Sequence, residues 1–594
     1  MEEVFHPLEA YRDRLKKEHA RNVREAFDAL VAEAGTDEAA NRKTCAELRG
    51  LREKLAAAKK ELGRCKFRRV LLWVLAAVAA GAAWIGGTAG TEGAPWAVGG
   101  IVGLVLAVVT ALKVAGPAVA RAKAQVEDLK ERAAAKEAEA EAQVAGLMQL
   151  FDWDLPGKIS EKTMPQVKFD PFFTGGRLRD LEETFGWKGE GIGDGSVLWS
   201  QSGEINGNPF VVGRVLEQGM GEEIYDGHLW ISYREAVRDP DGRIRMETRR
   251  ECLTATVTKP KPVYGERDFV IYANEAAERL EFRRVPSPMA GTNPGSREEK
   301  RALKAAVKKL EKFARNLDDS YGFTMSDPEF EAYFNAWNRS DEVQFRLLFT
   351  PLAQRQELSI LKDRSVGFGD DFEMLKSRKI NVLWPEHLEG TCLDGEPQRY
   401  HSCDLREIRM IFQCYNEAWF RHVFFALAPL LAIPLYQQHR SHETIWKCLQ
   451  DRASAAPEHE ALANYLGEGR FKHAASATRN ILKTEARRGD AEMEQRVTVT
   501  AHGFRKEQHT EYVEVRGGDG HLHDVPVKWM KYLPVSRRSE MDVVDAEGLP
   551  RREFEGAPSE AWGGFLLRHR ALDGEMRLRR GVLGGRVAGG VERG

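Results

Sequence analysis

Two long apolar stretches stand out near the start of a chain that otherwise mixes apolar and charged positions. Val70–Gly90 carries no ionisable residue, and a second run begins at Trp96 and continues past Lys113 to residue 116. Each stretch is long enough to cross a hydrocarbon layer of about 30 Å as a helix. The segment Thr91–Pro95 leaves room only for a tight turn. The pattern predicts a transmembrane hairpin within residues 67–120, with a buried soluble hairpin as the alternative.

The basic residues around this hairpin predict its orientation. They lie before the first span and after the second, at Arg64, Lys66, Arg68, Arg69, Lys113, Arg121 and Lys123. The turn holds only Glu92, so the positive-inside rule predicts a multi-pass protein of the inner (plasma) membrane with both termini in the cytoplasm. Because ion pathways need ionisable groups at depth, an anchor is favoured over a transporter. Gly86-x-x-x-Gly90 and Gly99-x-x-x-Gly103 permit self-association.

Amphipathic patterns flank the hairpin on both sides. Residues 1–66 are predicted as a cytoplasmic helical region, and residues 118–150 as a helical stalk. The first region ends in a coiled-coil-like seam with 3-4 spacing at Leu48, Leu51, Leu55, Ala58 and Leu62. These juxtamembrane helices either pair antiparallel as a short stalk or remain separately solvated.

The pattern changes to short β-like runs and capped helices in residues 151–385, predicted as an α+β cytoplasmic domain. A hairpin is indicated by His228–Val237 and Arg243–Thr258 around Asp239-Pro240-Asp241-Gly242, with Lys259–Pro262 ending the strand. A further turn is predicted at Asn206-Gly207. Helices are predicted after the capping boxes that begin at Ser296 and Ser326. The fold class is therefore α+β with an N-terminal transmembrane hairpin.

The C-terminal third is predicted as three further regions. Residues 386–490 are mostly helical and contain the apolar segment 423–436, which is too short for a span and holds two prolines. We expect that segment to be buried, with a membrane-surface contact as the alternative. Residues 491–565 form a small β-rich region, and residues 566–594 a disordered basic tail.

Two runs resemble a known pattern: Gly203–Gly213 (GEINGNPFVVG) and Asp341–Leu361 (DEVQFRLLFTPLAQRQELSIL). They resemble an uncharacterised family of bacterial membrane proteins with paired N-terminal spans and a cytoplasmic α+β domain of unknown function. The resemblance covers the hairpin and residues 151–385. The residues themselves predict a strand at Val343–Phe349, a helix that starts at Thr350-Pro351, and a strand at Ile380–Trp384. The resemblance implies the same order, with its first strand at Phe345–Phe349. The resemblance implies no enzymatic activity, because none is established for the family.

Composition narrows the function classes. The chain has 594 residues, of which 42% are hydrophobic and 30% charged, a globular balance. The formal net charge of -2 gives no reason to expect nucleic acid as a partner. Seven cysteines, few and odd in number, fit reduced thiols better than a disulfide framework.

Candidate metal ligands are His387, Cys392, His401 and Cys403, joined by Cys414 in the same stretch. Zinc sites usually contain paired short spacings such as C-x-x-C, and this stretch has none. We therefore predict no metal and no cofactor.

Other motifs fall short of a catalytic pattern. His439-x-x-His442-Glu443 lacks the order of a metalloprotease helix, and His521-x-His523 is predicted as exposed hairpin. Gly189–Gly195 does not match a phosphate-binding fingerprint, and its two acids would repel phosphate. Asp370-Asp371 is interpreted as a solvated turn.

A basic helix face offers a weak membrane-surface contact through Lys304, Lys308, Lys309 and Lys312, against the alternative of an ordinary solvated face. The first hypothesis is a membrane-anchored cytoplasmic binding or scaffold protein with membrane lipid, an unknown protein partner and possible homo-oligomerisation through hairpin and stalk. Alternatives are a hydrolase-type enzyme with a site assembled from distant residues, and an oligomeric pore or membrane-remodelling component.

Overall fold

The structure is a computed structural model that describes residues 6–88, 94–238, 244–315, 323–440, 453–488, 494–545, 572–587 and 591–593. It divides into two compact units. The first comprises Met1–Val23, Asp152–Glu396 and Asn416–Gly594, and the second Arg24–Phe151 and Pro397–Tyr415. The chain combines helices with two antiparallel sheets, which confirms the predicted mixed α+β class.

The N-terminal part of the chain forms nearly continuous helical rods. The helices are α1 (Pro7–Ala10), α2 (Lys16–Ala34), α3 (Glu38–Thr88), α4 (Ala94–Thr110) and α5 (Gly116–Met148), with π turns at Tyr11–Leu15 and Ala111–Ala115. In the second unit, α3 and α5 pack antiparallel. Arg52 Nη2 lies 2.8 Å from Glu137 Oε1, and Gln143 Nε2 donates to Thr44 Oγ1 at 3.0 Å.

The N-terminal segment belongs to the first unit, although the sequence grouped it with residues 1–66. The ring of Tyr11 lies 4.9 Å from that of Phe425 and 5.1 Å from that of Phe424, measured between centroids. His19 stacks on Phe420 at 4.0 Å. These aromatic contacts join residues about 400 positions apart in the chain, so local periodicity gave no indication of them.

The first unit contains one seven-stranded sheet. Its strands are β1 (Val167–Phe169), β2 (Ser196–Ile205), β3 (Asn208–Arg238), β4 (Ile244–Ala273), β5 (Glu281–Arg284), β6 (Phe372–Ser377) and β7 (Ile380–Pro385), in the spatial order β1-β2-β3-β4-β7-β6-β5. Asn206 and Gly207 have φ of 52° and 86°, and form the predicted tight turn between β2 and β3. The strand predicted at Ile380–Trp384 is confirmed as β7.

A second antiparallel sheet lies in the same unit. Its strands are β8 (Ile481–Arg488), β9 (Glu494–Arg516), β10 (Leu522–Asp545), β11 (Leu572–Arg579) and β12 (Val582–Val587), in the order β11-β12-β10-β9-β8, with β13 (Val591–Arg593) on β10. The predicted disordered tail at 566–594 is therefore wrong over its described part. A turn with positive φ at Arg580 and Gly581 joins β11 to β12.

The remaining helices are short, except for two. They are α6 (Leu155–Thr163), α7 (Gly175–Arg179), α8 (Arg297–Arg315), α9 (Pro328–Phe334), α10 (Glu342–Leu348), α11 (Pro351–Lys362), α12 (Leu405–Leu431) and α13 (Ala456–Gly467). Helix α13 is buried between the sheets. Its Ala461 packs in the core of the first sheet and its Leu462 in that of the second. The predicted buried segment 423–436 is confirmed, since nearly all of it is inaccessible.

Two sequence predictions need correction: one strand and the position of one helix cap. Val343–Phe349 is not a strand but lies in α10 and its C-cap, because Asp341 caps a helix by accepting from Gln344 N at 3.0 Å. Phe345 and Leu348 are buried at helical spacing. The second capping box is shifted by one residue, since Asp327 rather than Ser326 caps α9.

Long two-stranded ribbons extend from both sheets. Strands β3 and β4 pair from Phe210↔Tyr272 to Arg238↔Ile244, about 100 Å at 3.3 Å per residue. The predicted strand end at Lys259–Pro262 is wrong. Pro260 and Pro262 lie opposite Glu222 and Met220 in a stretch where β4 has no other neighbour in the described sheet, so β4 is an edge strand there, and edge strands tolerate proline.

Candidate functional site

The apolar faces of α3 and α4 form the most distinctive surface of the second unit. Large apolar side chains point outward all round the pair, including Leu75, Val78, Trp84, Ile85, Ile101, Val102, Val105 and Leu106. Val78 is 64% exposed and Leu106 68%. Soluble proteins rarely expose a contiguous apolar surface of this extent. The ranges Glu38–Ile85 and Val98–Met148 form two helices long and apolar enough to cross a membrane.

Small residues set the contact between these two helices. A Cβ on Gly100 would lie 2.5 Å from Ala83 N and 2.8 Å from Ala79 O, so only glycine fits there. A Cβ on Gly103 would also face Ala79, whereas one on Gly99 would meet nothing within 4 Å. The two glycines of the predicted Gly99-x-x-x-Gly103 motif therefore do not share one open face. Gly90, in the other motif, lies outside the described residues.

The candidate metal ligands named from the sequence contact other protein groups rather than one another. In the first unit, His387 Nδ1 lies 2.5 Å from Asp371 Oδ2, and its Nε2 lies 3.1 Å from the His422 carbonyl oxygen. Both ring nitrogens thus face protein acceptors, and Phe368 stacks on the imidazole at 4.1 Å. Cys392 is exposed, with Sγ 3.7 Å from Asp394 Oδ1.

In the second unit, His401 is exposed and Cys403 is half-buried. The Cys403 carbonyl accepts from Asn41 Nδ2 at 3.0 Å and from Cys45 Sγ at 3.4 Å. Burial raises the pKa of the Cys403 thiol and that of Cys45, the latter to about 11, which keeps both protonated and poor as ligands. Cys414 is exposed. Across the described residues, no group of three or more His, Cys, Asp or Glu could hold a metal ion.

The pair Asp370-Asp371 is not a solvated turn, contrary to the sequence interpretation. Asp370 forms a fully buried ion pair with Arg284 and accepts from Ser287 N at 2.7 Å. The Asp371 carboxylate forms a hydrogen bond with the His387 ring. Sequence reasoning missed this role because Arg284 lies on β5, far away in the chain.

A buried lysine lies nearby and was also missed. Lys376 on β6 is inaccessible, and its Nζ donates to Arg378 O at 2.6 Å and Ala276 O at 3.2 Å. Burial lowers its pKa to about 7. Glu357 on α11 is also buried, which raises the pKa of its carboxyl. Perturbed groups of this kind often mark catalytic sites. Both are closed to solvent, so they have no route to a substrate in this conformation.

A cavity surrounds the glycine run. It has a volume of about 740 Å³ and is lined by Gly189–Gly195, Glu217, Gln218, Trp384, Ile481, Lys483 and His502. Lys483 Nζ donates to Gly195 O at 2.5 Å and lies 3.2 Å from Glu460 Oε1. Burial and the charge of Lys483 lower the pKa of His502. The charge of Lys483 is thus balanced by Glu460, and Glu190 and Asp194 add negative charge to the wall of the cavity. A phosphate would be repelled there.

The first-unit helix α8 presents a strongly basic surface. Its capping box is confirmed, with Glu299 N donating to Ser296 Oγ at 3.1 Å. Lys304, Lys308, Lys309 and Lys312 are all exposed, and the other exposed bases are Arg297, Lys300, Arg301 and Arg315. A groove of about 430 Å³ runs beside the helix, and Lys309 Nζ lies 4.5 Å above the Trp337 ring at its edge.

The remaining histidine motifs do not form a site. His523 Nε2 lies 3.0 Å from Asp519 Oδ2 within the β9–β10 turn, which confirms the predicted exposed hairpin. His439 is exposed, while His442 and Glu443 lie outside the described residues.

No family model matches the sequence, and neither the curated proteins nor the solved structures give a match. The resemblance to a bacterial membrane family therefore remains a prediction.

Proposed function

We propose that the protein is a membrane-anchored cytoplasmic binding or scaffold protein, held in the inner membrane by α3 and α4 with both termini in the cytoplasm. The observation that carries the proposal is the outward-facing apolar surface of these helices, such as Val78 and Leu106. At about 25 cal/mol per Å² of apolar surface, leaving it in water would be costly, while a bilayer covers it without protein contacts. The basic residues at both ends support the orientation.

A binding role is favoured over catalysis because the candidate catalytic side chains are buried or held in ion pairs. Lys376 and Glu357, two described residues whose pKa is strongly shifted, are sealed in the core. Lys483, a cation that lines the cavity at the glycine run, forms an ion pair with Glu460. The hydrolase alternative requires a nucleophile and a base in contact at an open pocket, and no observation on the described residues favours one.

The basic face of α8 supports membrane lipid as a partner. Clustered lysines near an anionic bilayer contribute about 1 kcal/mol each. We expect Lys304, Lys308 and Lys312 to be protected from an acylating reagent when the full chain is in nanodiscs containing phosphatidylglycerol. Phosphatidylcholine nanodiscs and the exposed Lys528 on β10 are the controls. Equal labelling in both lipids would assign α8 to an ordinary solvated surface.

The anchor is tested by topology. Reporter fusions at the N-terminus and after Gly594 are expected to give cytoplasmic activity, whereas a fusion at Gly93 gives a periplasmic one. The full chain is expected to stay in the membrane pellet after alkaline carbonate washing. Release into the supernatant, or a periplasmic reporter at either terminus, would refute the anchor.

A further inference from the structure

The β3–β4 ribbon has one covered face and one open face. Its inner face packs on the β9–β10 ribbon, where Leu253 and Ala255 meet Val525 and Val527. The inner positions on β3 have odd numbers, and Tyr225, Leu229 and Ile231 are packed against this core. Because side chains alternate along a strand, the even-numbered positions of β3 point to the opposite face. From 218 to 238 all of these even-numbered positions are exposed, and none of the described residues covers them.

The open face carries large apolar side chains in its middle. Trp230 is 72% exposed and Ile224 67%, and Met246 on β4 is 59% exposed. Trp230 pairs across the ribbon with Cys252. Exposed aromatic residues surrounded by charges are typical of protein interfaces rather than of solvated surface.

Charges on this face are arranged around Trp230 in an antisymmetric order. Asp226 and Glu222 lie four and eight residues before Trp230, and Arg234 and Arg238 lie four and eight residues after it. All four are exposed or half-buried, and within the described part of the chain none of them forms an ion pair. One half of the face is therefore acidic and the other basic, at equal distances from the tryptophan.

We propose that this face binds a second copy of the same chain, with the two ribbons stacked antiparallel about a twofold axis at Trp230. Such an axis places Asp226 of one copy over Arg234 of the other, and Glu222 over Arg238. The charges of a twofold contact attract each other only when the surface carries opposite signs on its two halves, as this one does. An unrelated partner would require no such symmetry.

The area agrees with a specific but modest dimer. Residues 222–238 span about 56 Å at 3.3 Å per residue, and two strands are about 10 Å wide, so each copy buries about 550 Å². The total of about 1,100 Å² lies at the low end of specific interfaces, for which a roughly micromolar Kd is expected. Pairing by strand edges is disfavoured because Pro260 and Pro262 interrupt the edge of β4.

The test uses charge reversal in the full chain, purified in detergent, with mass measured by light scattering across concentration. Asp226→Arg alone sets arginine against Arg234, and Arg234→Glu alone sets glutamate against Asp226, twice per dimer. Each is expected to weaken dimerisation at least about tenfold. An equimolar mixture of the two variants, and the double variant, are expected to recover the wild-type Kd.

Lys528→Glu on the outer face of the other ribbon is the matched control and leaves the mass unchanged. Circular dichroism confirms that each variant is folded. A wild type that stays monomeric at about 100 µM, well above a roughly micromolar Kd, would overturn the proposal. So would a dimer whose Kd is the same in all variants, because the hairpin or stalk would then hold it. Loss in the single variants without recovery on mixing would overturn the antiparallel twofold register.

Discussion

The clearest consequence of the structure concerns the C-terminal strands, which the sequence presented as a disordered tail. Arg579 at the end of β11 is 2% exposed and forms a buried ion pair with Glu458 on α13, which is itself inaccessible. Glu458 also accepts from Phe173 N at 3.3 Å. Replacing Arg579 by leucine leaves this carboxylate buried without its cation.

Breaking one partner of a buried ion pair costs about 3–5 kcal/mol. At about 2 °C per kcal/mol for a large domain, Arg579→Leu is expected to lower the thermal midpoint of the first unit by about 6–10 °C. Intrinsic tryptophan fluorescence of the full chain in detergent measures it. Combining Arg579→Leu with Glu458→Gln is expected to recover at least half of the loss, because the neutral amide keeps an acceptor for Phe173 N.

Arg505→Leu is the matched control for this experiment. Arg505 pairs with Glu507 at 3.2 Å, and both side chains are more than 40% exposed. An exposed pair contributes at most about 1 kcal/mol, so the midpoint is expected to move by less than about 2 °C. If Arg579→Leu has an effect as small as the control, the C-terminal strands do not pack on α13 and the reasoning fails.

The described geometry leads to three further predictions. Gly100→Val is expected to disrupt the α3–α4 contact and lower the yield of folded protein in membranes, while Gly99→Val, which meets nothing within 4 Å, is tolerated; equal yields would contradict this packing. Lys376 stays protonated up to its ordinary pKa of 10.5 when unfolded but only to about 7 when folded, so its contribution to stability rises with pH between those values. Lys376→Met is expected to flatten the dependence of the thermal midpoint on pH across that window, and an unchanged slope would assign the dependence elsewhere. Elemental analysis of purified protein is expected to show no tightly bound zinc, and a near-stoichiometric content would refute that prediction.

Local pattern predicted several elements well. The turn at Asn206-Gly207 follows from residues that accept positive φ, and the helix start at Thr350-Pro351 follows from a side chain that caps the Ala353 N–H. The two apolar runs are recognisable because length and absence of charge suffice to identify a candidate span. These features depend on a residue and its near neighbours, so a single sequence contains the information.

Contacts between distant residues were decided only by the tertiary structure. The sequence indicated a basic tail, but Arg579 is ordered because Glu458, 121 residues away, requires a cation. The sequence predicted a solvated Asp371, whereas in the structure its carboxylate contacts the His387 imidazole. The segment predicted as a strand at Val343–Phe349 is α10 and its C-cap: Asp341 caps the helix locally, and the rings of Phe345 and Phe349 pack on Phe334. In each case a buried charge or ring takes its partner from another element, and the free energy of that contact overrides local preference.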